Sequence, residues 1–143
     1  MISAEDAKKR VEDGCLKFWV LFEVLAVSEQ VAKESLEKMI KKVESDKRVE
    51  VYKREFSNAD KRENPLPNIK IAYAQSCEME GVAKSMEELV EIVLEYGPSA
   101  IEILEPSKMQ LSSREAQNIL NSMSEMMHRF AAAGAGGLVF LNK

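Results

Sequence analysis

The amino-acid sequence predicts an α+β fold. Six patterned segments run in the order strand, helix, strand, strand, helix, strand between Lys17 and Glu105, and both helices begin at residues typical of helix caps. The first strand is apolar on both alternating faces, which is typical of a central strand covered on both sides. This order is the split βαβ arrangement of a ferredoxin-like sandwich, in which helices cover one face of the sheet and leave the other open.

The first strand is predicted to run from Lys17 to Val27. One of its apolar sets is Phe18, Val20, Phe22, Val24 and Ala26, and the other is Trp19, Leu21, Leu25 and Val27. In a ferredoxin-like sheet this strand lies in the middle beside the third strand, with the second and fourth strands outside. The face that carries Trp19 then needs a cover, either from a helix predicted over 112–133 or from an identical sheet in a dimer.

The two helices of the split βαβ arrangement are predicted from their caps. Ser28 caps the first helix, which extends to about Ser45. The sequence Ser85-Met86-Glu87-Glu88 is a capping box that opens the second helix. Gly97 and Pro98 follow its last apolar residue, so the helix is expected to end there.

The second strand, over 49–57, carries Lys53 and Arg54, and charged residues in a strand are typical of a sheet edge. A polar loop stiffened by two prolines is predicted over 58–68. The third strand begins after it, over 69–80, and its acidic end leads to the second helix.

The 143 residues are expected to form one domain over 1–143. Residues 1–14 are predicted to be a loosely docked N-terminal helical arm, and the fourth strand spans 100–104. A C-terminal extension over 107–143 adds the third helix and a short strand at 138–141.

Composition and charge exclude several classes of protein. Apolar residues make up 45% and charged residues 31%, as in an ordinary globular protein. The net charge of −4 gives no general attraction to nucleic acid or to acidic lipid. The longest apolar stretch, from Phe18 to Val27, contains Glu23 and is too short to span a bilayer, so no membrane partner is predicted.

The N-terminus lacks the apolar segment of a secretory signal. Cys15 and Cys77 have no metal-ligand spacing, and two thiols in such a chain are predicted to be unpaired, although a bridge between them stays open. Together these features predict a cytoplasmic location.

The sequence offers few candidates for catalytic residues. His128 is the only histidine, so one chain cannot build a Ser-His-Asp set or a multi-histidine metal site. Gly134, Gly136 and Gly137 follow a helix and precede a strand, the reverse of a phosphate-binding loop. We therefore predict no catalytic residue and no cofactor. Glu78 and Glu80 alternate along the third strand and share a face, so a small acid–base or metal-dependent enzyme is an alternative hypothesis.

A nucleic-acid-binding surface is a further alternative, because aromatic side chains on the first three strands lie where RNA-recognition modules keep their stacking residues. These are Phe18, Trp19, Phe22, Tyr52, Phe56 and Tyr73. Its site residues would be Tyr52 with the basic residues Lys53, Arg54, Lys61 and Arg62. The third strand lacks the Gly-aromatic pattern of those modules and the net charge is negative, so packing in the sheet is the favoured interpretation.

Ligand or partner binding is the remaining role for exposed apolar residues. Trp19 and Tyr73 are candidates on the sheet, and Met123 and Met127 are candidates on the third helix, since methionine adapts to different apolar partners. The bland alternative is that the methionines belong to the core.

Residues 68–129 carry a helix that ends at Tyr96-Gly97-Pro98, the strand Ala100–Leu104, and Glu105-Pro106 before the next helix. In these features the segment resembles the ferredoxin-like C-terminal extension of WYL-domain transcription regulators. The resemblance implies a module that helps a protein to dimerise and to respond to an effector. The chain has no helix-turn-helix domain and no Trp-Tyr-Leu core module, so it departs from that family outside this segment.

The leading hypothesis is a non-catalytic, self-associating module, a dimer or larger, that binds a small molecule or another protein.

Overall fold

The structure is a computed structural model, and it describes residues 1–133. The described helices are α1 (Ala4–Glu12), α2 (Glu29–Ser45), α3 (Met86–Tyr96) and α4 (Ser113–Ala132). The described strands are β1 (Leu16–Ala26), β2 (Val49–Phe56), β3 (Asp60–Leu66), β4 (Ile69–Ala83) and β5 (Ala100–Glu105). The strand predicted over 138–141 and the three glycines before it lie outside the described residues.

The sheet is antiparallel and has the order β2-β4-β1-β5, with β3 paired to the first half of β4. The predicted central pair is therefore β1 and β4, with β2 and β5 outside them. The predicted α+β, ferredoxin-like fold class is confirmed.

The hydrophobic core lies between the sheet and the helices α2 and α3. Register pairs Phe18 with Gly81, Val20 with Met79 and Phe22 with Cys77, so these side chains share one face. The core residues are Leu16, Phe18, Val20, Phe22, Leu36, Ile40, Val43, Val49, Val51, Cys77, Met79, Ala83, Leu89 and Ile92. Only one of the two apolar sets of β1 thus faces the core.

Gly81 is required where β2 bends across β4. The pairing of β2 with β4 shifts between Val51 and Lys53, which makes a bulge beside Gly81. A Cβ atom on Gly81 would lie 2.8 Å from the Glu50 carbonyl oxygen and 3.0 Å from Cζ of Phe18. Backbone and aromatic ring approach each other too closely there for any side chain.

The predicted caps are confirmed. The hydroxyls of Ser28, Ser85 and Ser112 accept hydrogen bonds from backbone N–H groups in the first turns of α2, α3 and α4. Gly97 ends α3 in the left-handed conformation, with φ of 59°.

The polar loop predicted over 58–68 is wrong, because this segment contains β3. Pairing of β3 with β4 shifts between Glu63 and Leu66, and Asn64 adopts the left-handed conformation at that break with φ of 50°. Pro65 also lies in the break, where no ladder hydrogen bond is lost. The hairpin of β3 and β4 extends past the helices, so β3 has no buried face. Its sequence therefore lacks the apolar alternation that would have indicated a strand.

The loosely docked arm predicted over 1–14 is also wrong. The Ile2 N–H donates to the Val51 carbonyl over 3.0 Å, and Arg10 forms an ion pair with Glu50 at 2.9 Å. Ala7 in α1 and Val82 in β4 are each only 2% exposed, and neither belongs to the core on the α2 and α3 side. Since Val82 faces away from that core, α1 covers one end of the opposite face of the sheet.

Both described cysteines are free, as predicted. Cys77 lies opposite Phe22 in β4, whereas Cys15 precedes β1, seven residues or about 23 Å earlier along the strand. A disulfide needs Cα atoms within about 7 Å. Burial raises the pKa of the Cys77 thiol to about 11. Among the residues that the structure describes, no helix is long and apolar enough to cross a membrane.

Candidate functional site

The candidate site is the sheet face opposite α2 and α3, which we call the open face. Residues paired across neighbouring strands share a face, so the register identifies its members. From β2 to β5 they include Glu50, Lys53 and Glu55, then Glu78, Glu80 and Val82, then Lys17, Trp19, Leu21, Glu23 and Leu25, then Glu102. Carboxylates therefore surround an apolar centre.

Trp19 lies at the middle of the open face and is half-buried. Its neighbours in register are Glu80 on β4 and Glu102 on β5. The indole Nε1 donates a hydrogen bond to Oε1 of Glu78 over 3.1 Å. Leu21 is half-buried and Leu25 is exposed on the same face, and the exposed Glu23 lies between them.

Glu80 is held by two partners beside Trp19. The Tyr52 hydroxyl donates to Oε1 of Glu80 over 2.6 Å, and Nζ of Lys53 lies 3.5 Å from Oε2. Burial, and then the hydrogen bond to Glu80, raise the pKa of the Tyr52 phenol. Nζ of Lys17 lies 5.5 Å from the centre of the same ring, a cation–π distance. The bulge in β2 directs Tyr52 to this contact.

The metal-site alternative depended on Glu78 and Glu80 sharing a face, and they do share the open face. Each carboxylate, however, already accepts a hydrogen bond from an aromatic neighbour. Among residues 1–133, no group of three His, Cys, Asp or Glu side chains has a geometry that could hold a metal ion. The depression between Trp19 and these carboxylates has a volume of about 50 Å³, which suits an anchoring side chain rather than an enclosed substrate.

The residues of the nucleic-acid alternative do not lie on one surface. Tyr52 and Lys53 belong to the open face, whereas Arg54 lies on the core side and pairs with Glu44 of α2. Lys61 and Arg62 are adjacent on β3 and so point to opposite faces. The Nε of Arg62 lies 2.9 Å from Asp60.

The aromatic side chains of that alternative divide in the same way. Phe18 and Phe22 are 1% exposed in the core, where no base could stack on them. Trp19 and Tyr52 face the other side of the sheet.

The four ligand-binding candidates also separate. Trp19 is on the open face, and Tyr73 pairs with Ala26 on the other face, near the far end of β1. Met123 and Met127 lie on α4, which packs against α3. The helix over 112–133 therefore does not cover the Trp19 face.

The apolar stripe of α4 is a second exposed surface. Apolar residues at helical spacing usually face a core, yet Leu120 is 65%, Met123 43%, Met127 49% and Phe130 51% exposed. No residue of α4 is buried. We call these four residues the α4 seam.

Two neighbouring residues show where α3 lies relative to the seam. Ile119 and Met126 are half-buried, and Met126 lines a groove with Leu94 of α3. The contact with α3 is therefore beside the seam rather than on it.

A broad groove of about 700 Å³ runs between α2 and α3. It is lined by Ser35, Lys38, Met39, Lys42, Ser45, Asp46, Glu95 and Tyr96. It is shallow and has both polar and apolar lining, and the pKa shifts of Asp46 and Tyr96 beside it are explained by hydrogen bonds and burial.

Arg48 lies just after the end of α2 and accounts for the pKa shift of Asp46. Its guanidinium donates to Asp46 and to Glu95, and it holds the pKa of the Asp46 carboxyl well below its usual range. The Tyr96 hydroxyl donates to the same carboxylate over 2.8 Å. Burial, and then this bond, raise the pKa of Tyr96 to about 12. The cluster ties α3 to the end of α2.

Sequence reasoning missed two kinds of surface residue. Glu102 has no local signal that marks it as part of a site, but register places it beside Trp19. The spacing of Leu120 and Phe130 indicates an amphipathic helix without indicating which element it faces. Pairing register and the position of α3 supply what the pattern lacks.

The fold and this surface define a ferredoxin-like α+β protein with an acidic open face around one tryptophan. Residues 17–138 match the sequence model of the MJ0538 family, and the chain therefore belongs to that family. No curated protein and no solved structure matches the chain.

Proposed function

We propose that the protein is a non-catalytic, self-associating module that binds a ligand or a partner protein on its open face. The observation that carries the proposal is Trp19, a half-buried indole at the centre of a sheet face that α1 covers only at one end. Half-exposed aromatic side chains within shallow depressions are typical anchor points of interfaces.

The charge of the open face supports a basic partner. Glu23, Glu55, Glu78, Glu80 and Glu102 share this face with Lys17 and Lys53. A lysine or arginine side chain from a partner would meet carboxylates on both sides of the indole, and it would gain a cation–π contact with the ring. A polyanion would meet repulsion.

Self-association is supported by the α4 seam. Four large apolar side chains in one stripe are a larger exposed patch than isolated surface residues, and such patches typically mark interfaces. A homodimer is the simplest closed assembly for one such surface. We also propose a cytoplasmic location, because both cysteines are free thiols.

Trp19 provides the test, because it is the only tryptophan and reports on its own site. The native protein would be purified from its host and examined by native mass spectrometry for subunit count and co-purifying molecules. A lysine-rich peptide and a single-stranded RNA would then be titrated while Trp19 emission is recorded. We expect the peptide to change the emission at low salt and the RNA to leave it unchanged.

Matched variants separate the site from a general charge effect. Trp19→Phe with a labelled peptide should weaken binding, whereas Phe56→Ala, which removes an exposed aromatic on the other face, should not. RNA retention that depends on Trp19 and Lys53 would favour the nucleic-acid alternative instead. Metal that co-purifies and is lost in Glu78→Gln would favour the enzyme alternative. Binding of neither a co-purifying molecule nor the peptide would overturn the proposal.

A further inference from the structure

We infer that α4 pairs with α4 of a second copy in an antiparallel arrangement, through the α4 seam. This inference rests on the self-association in the proposed function and names the surface and its geometry. The dimer that results joins two α3–α4 pairs into one helical layer between two sheets.

The spacing of the α4 seam favours pairing with a second helix. Leu120, Met123, Met127 and Phe130 follow one another at intervals of three, four and three residues. This is the alternation of a heptad seam, whose side chains fit between those of a second helix with the same spacing. α4 has 20 residues and none of them is buried, so it has little tertiary support from the other described residues, and a partner on this stripe would supply it.

The symmetry of the α4 seam favours an antiparallel pair of identical helices. The intervals three, four and three read the same in both directions. An antiparallel pair with its two-fold axis beside Glu125 places Met123 of one copy against Met127 of the other, and Leu120 against Phe130. Every seam residue then meets an apolar partner, and each of the two contacts occurs twice in the dimer. This is the self-complementarity that a closed dimer requires.

The charge distribution on α4 is compatible with this pairing. The residues that flank the seam on its free side, Gln117, Ser124 and Ala131, are uncharged, and two of them are small enough for close helix approach. The charged residues Glu125 and Arg129 lie away from the seam and pair with each other at 2.6 Å. No like charges therefore face each other across the proposed contact.

The occupant is a second copy rather than the open face of a neighbour. The open face is ringed by carboxylates, which would have to be desolvated against methionine and phenylalanine. The two-fold pairing buries the patch on both copies, and doubling a patch of a few hundred Å² reaches the lower range of specific interfaces. We therefore expect dissociation in the micromolar range.

The geometry has a functional consequence. Because α4 packs on α3 and α3 packs on the core side of the sheet, a dimer through α4 does not place the second copy on either open face. Each dimer then presents two Trp19 sites on its outer surfaces. A partner with two basic segments would bind both sites with an increased apparent affinity.

The test uses the full-length chain in sedimentation velocity from about 1 to about 100 μM. Met127→Glu and Met123→Lys each place a charge in the seam and should raise the dissociation constant about 100-fold or more. Asn121→Glu adds the same charge to the exposed side of α4 and should leave it unchanged. Circular dichroism of each variant checks that α4 remains helical.

Mixing the two seam variants tests the direction of pairing. In an antiparallel mixed dimer the introduced lysine faces the introduced glutamate, so the mixture should associate at least tenfold more tightly than either variant alone. In a parallel pair the two charges do not meet, and the mixture should stay monomeric.

The outcomes separate this inference from the proposed function. A wild-type monomer over the whole range would overturn both the inference and the self-association. A wild-type dimer that persists in Met127→Glu and Met123→Lys would overturn the α4 pairing alone and leave self-association to another surface. A dimer lost in both variants, kept in Asn121→Glu and restored by mixing is the expected result.

Discussion

The indole of Trp19 and the carboxylate of Glu78 form a diagonal contact across β1 and β4, with 3.1 Å between Nε1 and Oε1. The register pairs Trp19 with Glu80 and Leu21 with Glu78, so the hydrogen bond crosses from one row to the next. This contact fixes the ring at the centre of the open face and provides a spectroscopic signal for it.

Glu78→Ala should shift Trp19 emission to longer wavelength, because water replaces the carboxylate as the acceptor of the indole N–H. The free energy of unfolding should change by no more than about 1 kcal/mol, since the contact is partly exposed. Emission spectra and urea denaturation measure the two effects. Glu78→Gln keeps an acceptor oxygen, and Glu102→Ala removes a carboxylate that does not bond the ring. An emission maximum unchanged in Glu78→Ala would contradict the contact.

Ala7→Glu should destabilise the protein by about 2 kcal/mol or more, because Ala7 is buried against the sheet and a charge there has no partner. Lys8→Glu, on the exposed side of α1, is the matched control and should have little effect. Urea denaturation gives the free energy, and binding of an apolar dye reports exposure of Val82. Equal stability of the two variants would show that α1 is not packed on the sheet.

Gly81→Ala should destabilise the protein by about 1–3 kcal/mol, since the added methyl meets the Glu50 carbonyl and the Phe18 ring. Gly97→Ala is the comparison, because nothing lies within 4 Å of its added methyl and only the left-handed backbone opposes it. Its cost should be about 1 kcal/mol. Thermal denaturation of both variants decides whether close packing at the β2 bulge is the larger effect, and the reverse order would refute it.

Asp46→Asn should remove part of the pH dependence of the free energy of unfolding at acid pH. The folded pKa of Asp46 lies below its unfolded value of about 3.9, so its stabilisation is present above that pH and is lost as pH falls towards the folded pKa. Wild type should therefore exceed Asp46→Asn in stability at pH 7, and the difference should shrink below about pH 4. Denaturation across this range measures it. Asp60→Asn serves as control, since Asp60 is 67% exposed and its pair with Arg62 should contribute little.

Tyr96→Phe should remove a phenol that titrates at about 12. A raised tyrosine pKa stabilises the fold below the unfolded value of about 10, and this stabilisation is lost as pH rises from there to about 12. Wild type should therefore lose stability more steeply than Tyr96→Phe in alkali. Absorbance titration of the phenols, with denaturation at each pH, checks both statements. A wild-type titration without this component would exclude the Tyr96–Asp46 bond.

Much of the fold could be predicted, because the relevant signals are local. Serine caps, the glycine after α3 and the apolar content of β1 each depend on a few neighbouring residues; the caps and the glycine are confirmed, and β1 lies inside the sheet as predicted. The hairpin strand β3 could not be predicted from alternation, because it lies beyond the helices and buries neither face. The packing of α1 on the sheet could not be predicted either, since the apolar side of this helix is little more than Ala7 and Val11.

The candidate site was predictable only in part. That Glu78 and Glu80 share a face follows from the two-residue period of a strand. That Trp19 bonds Glu78 depends on the register between two strands separated by more than forty residues, which no local pattern specifies. The separation of Lys53 from Arg54 follows from the same two-residue period. Which of these residues, and which of Lys61 and Arg62, joins the open face depends on strand pairing.

The order of the elements, their caps and the centrality of β1 are properties of the sequence itself, because period, cap chemistry and apolar content act within a few residues. Which face of β1 became the core, where α1 and α4 came to lie, and which carboxylates surround Trp19 were decided only by the tertiary structure. These features depend on long-range packing, where a helix with an apolar stripe has several surfaces on which it could dock and only the assembled sheet selects among them.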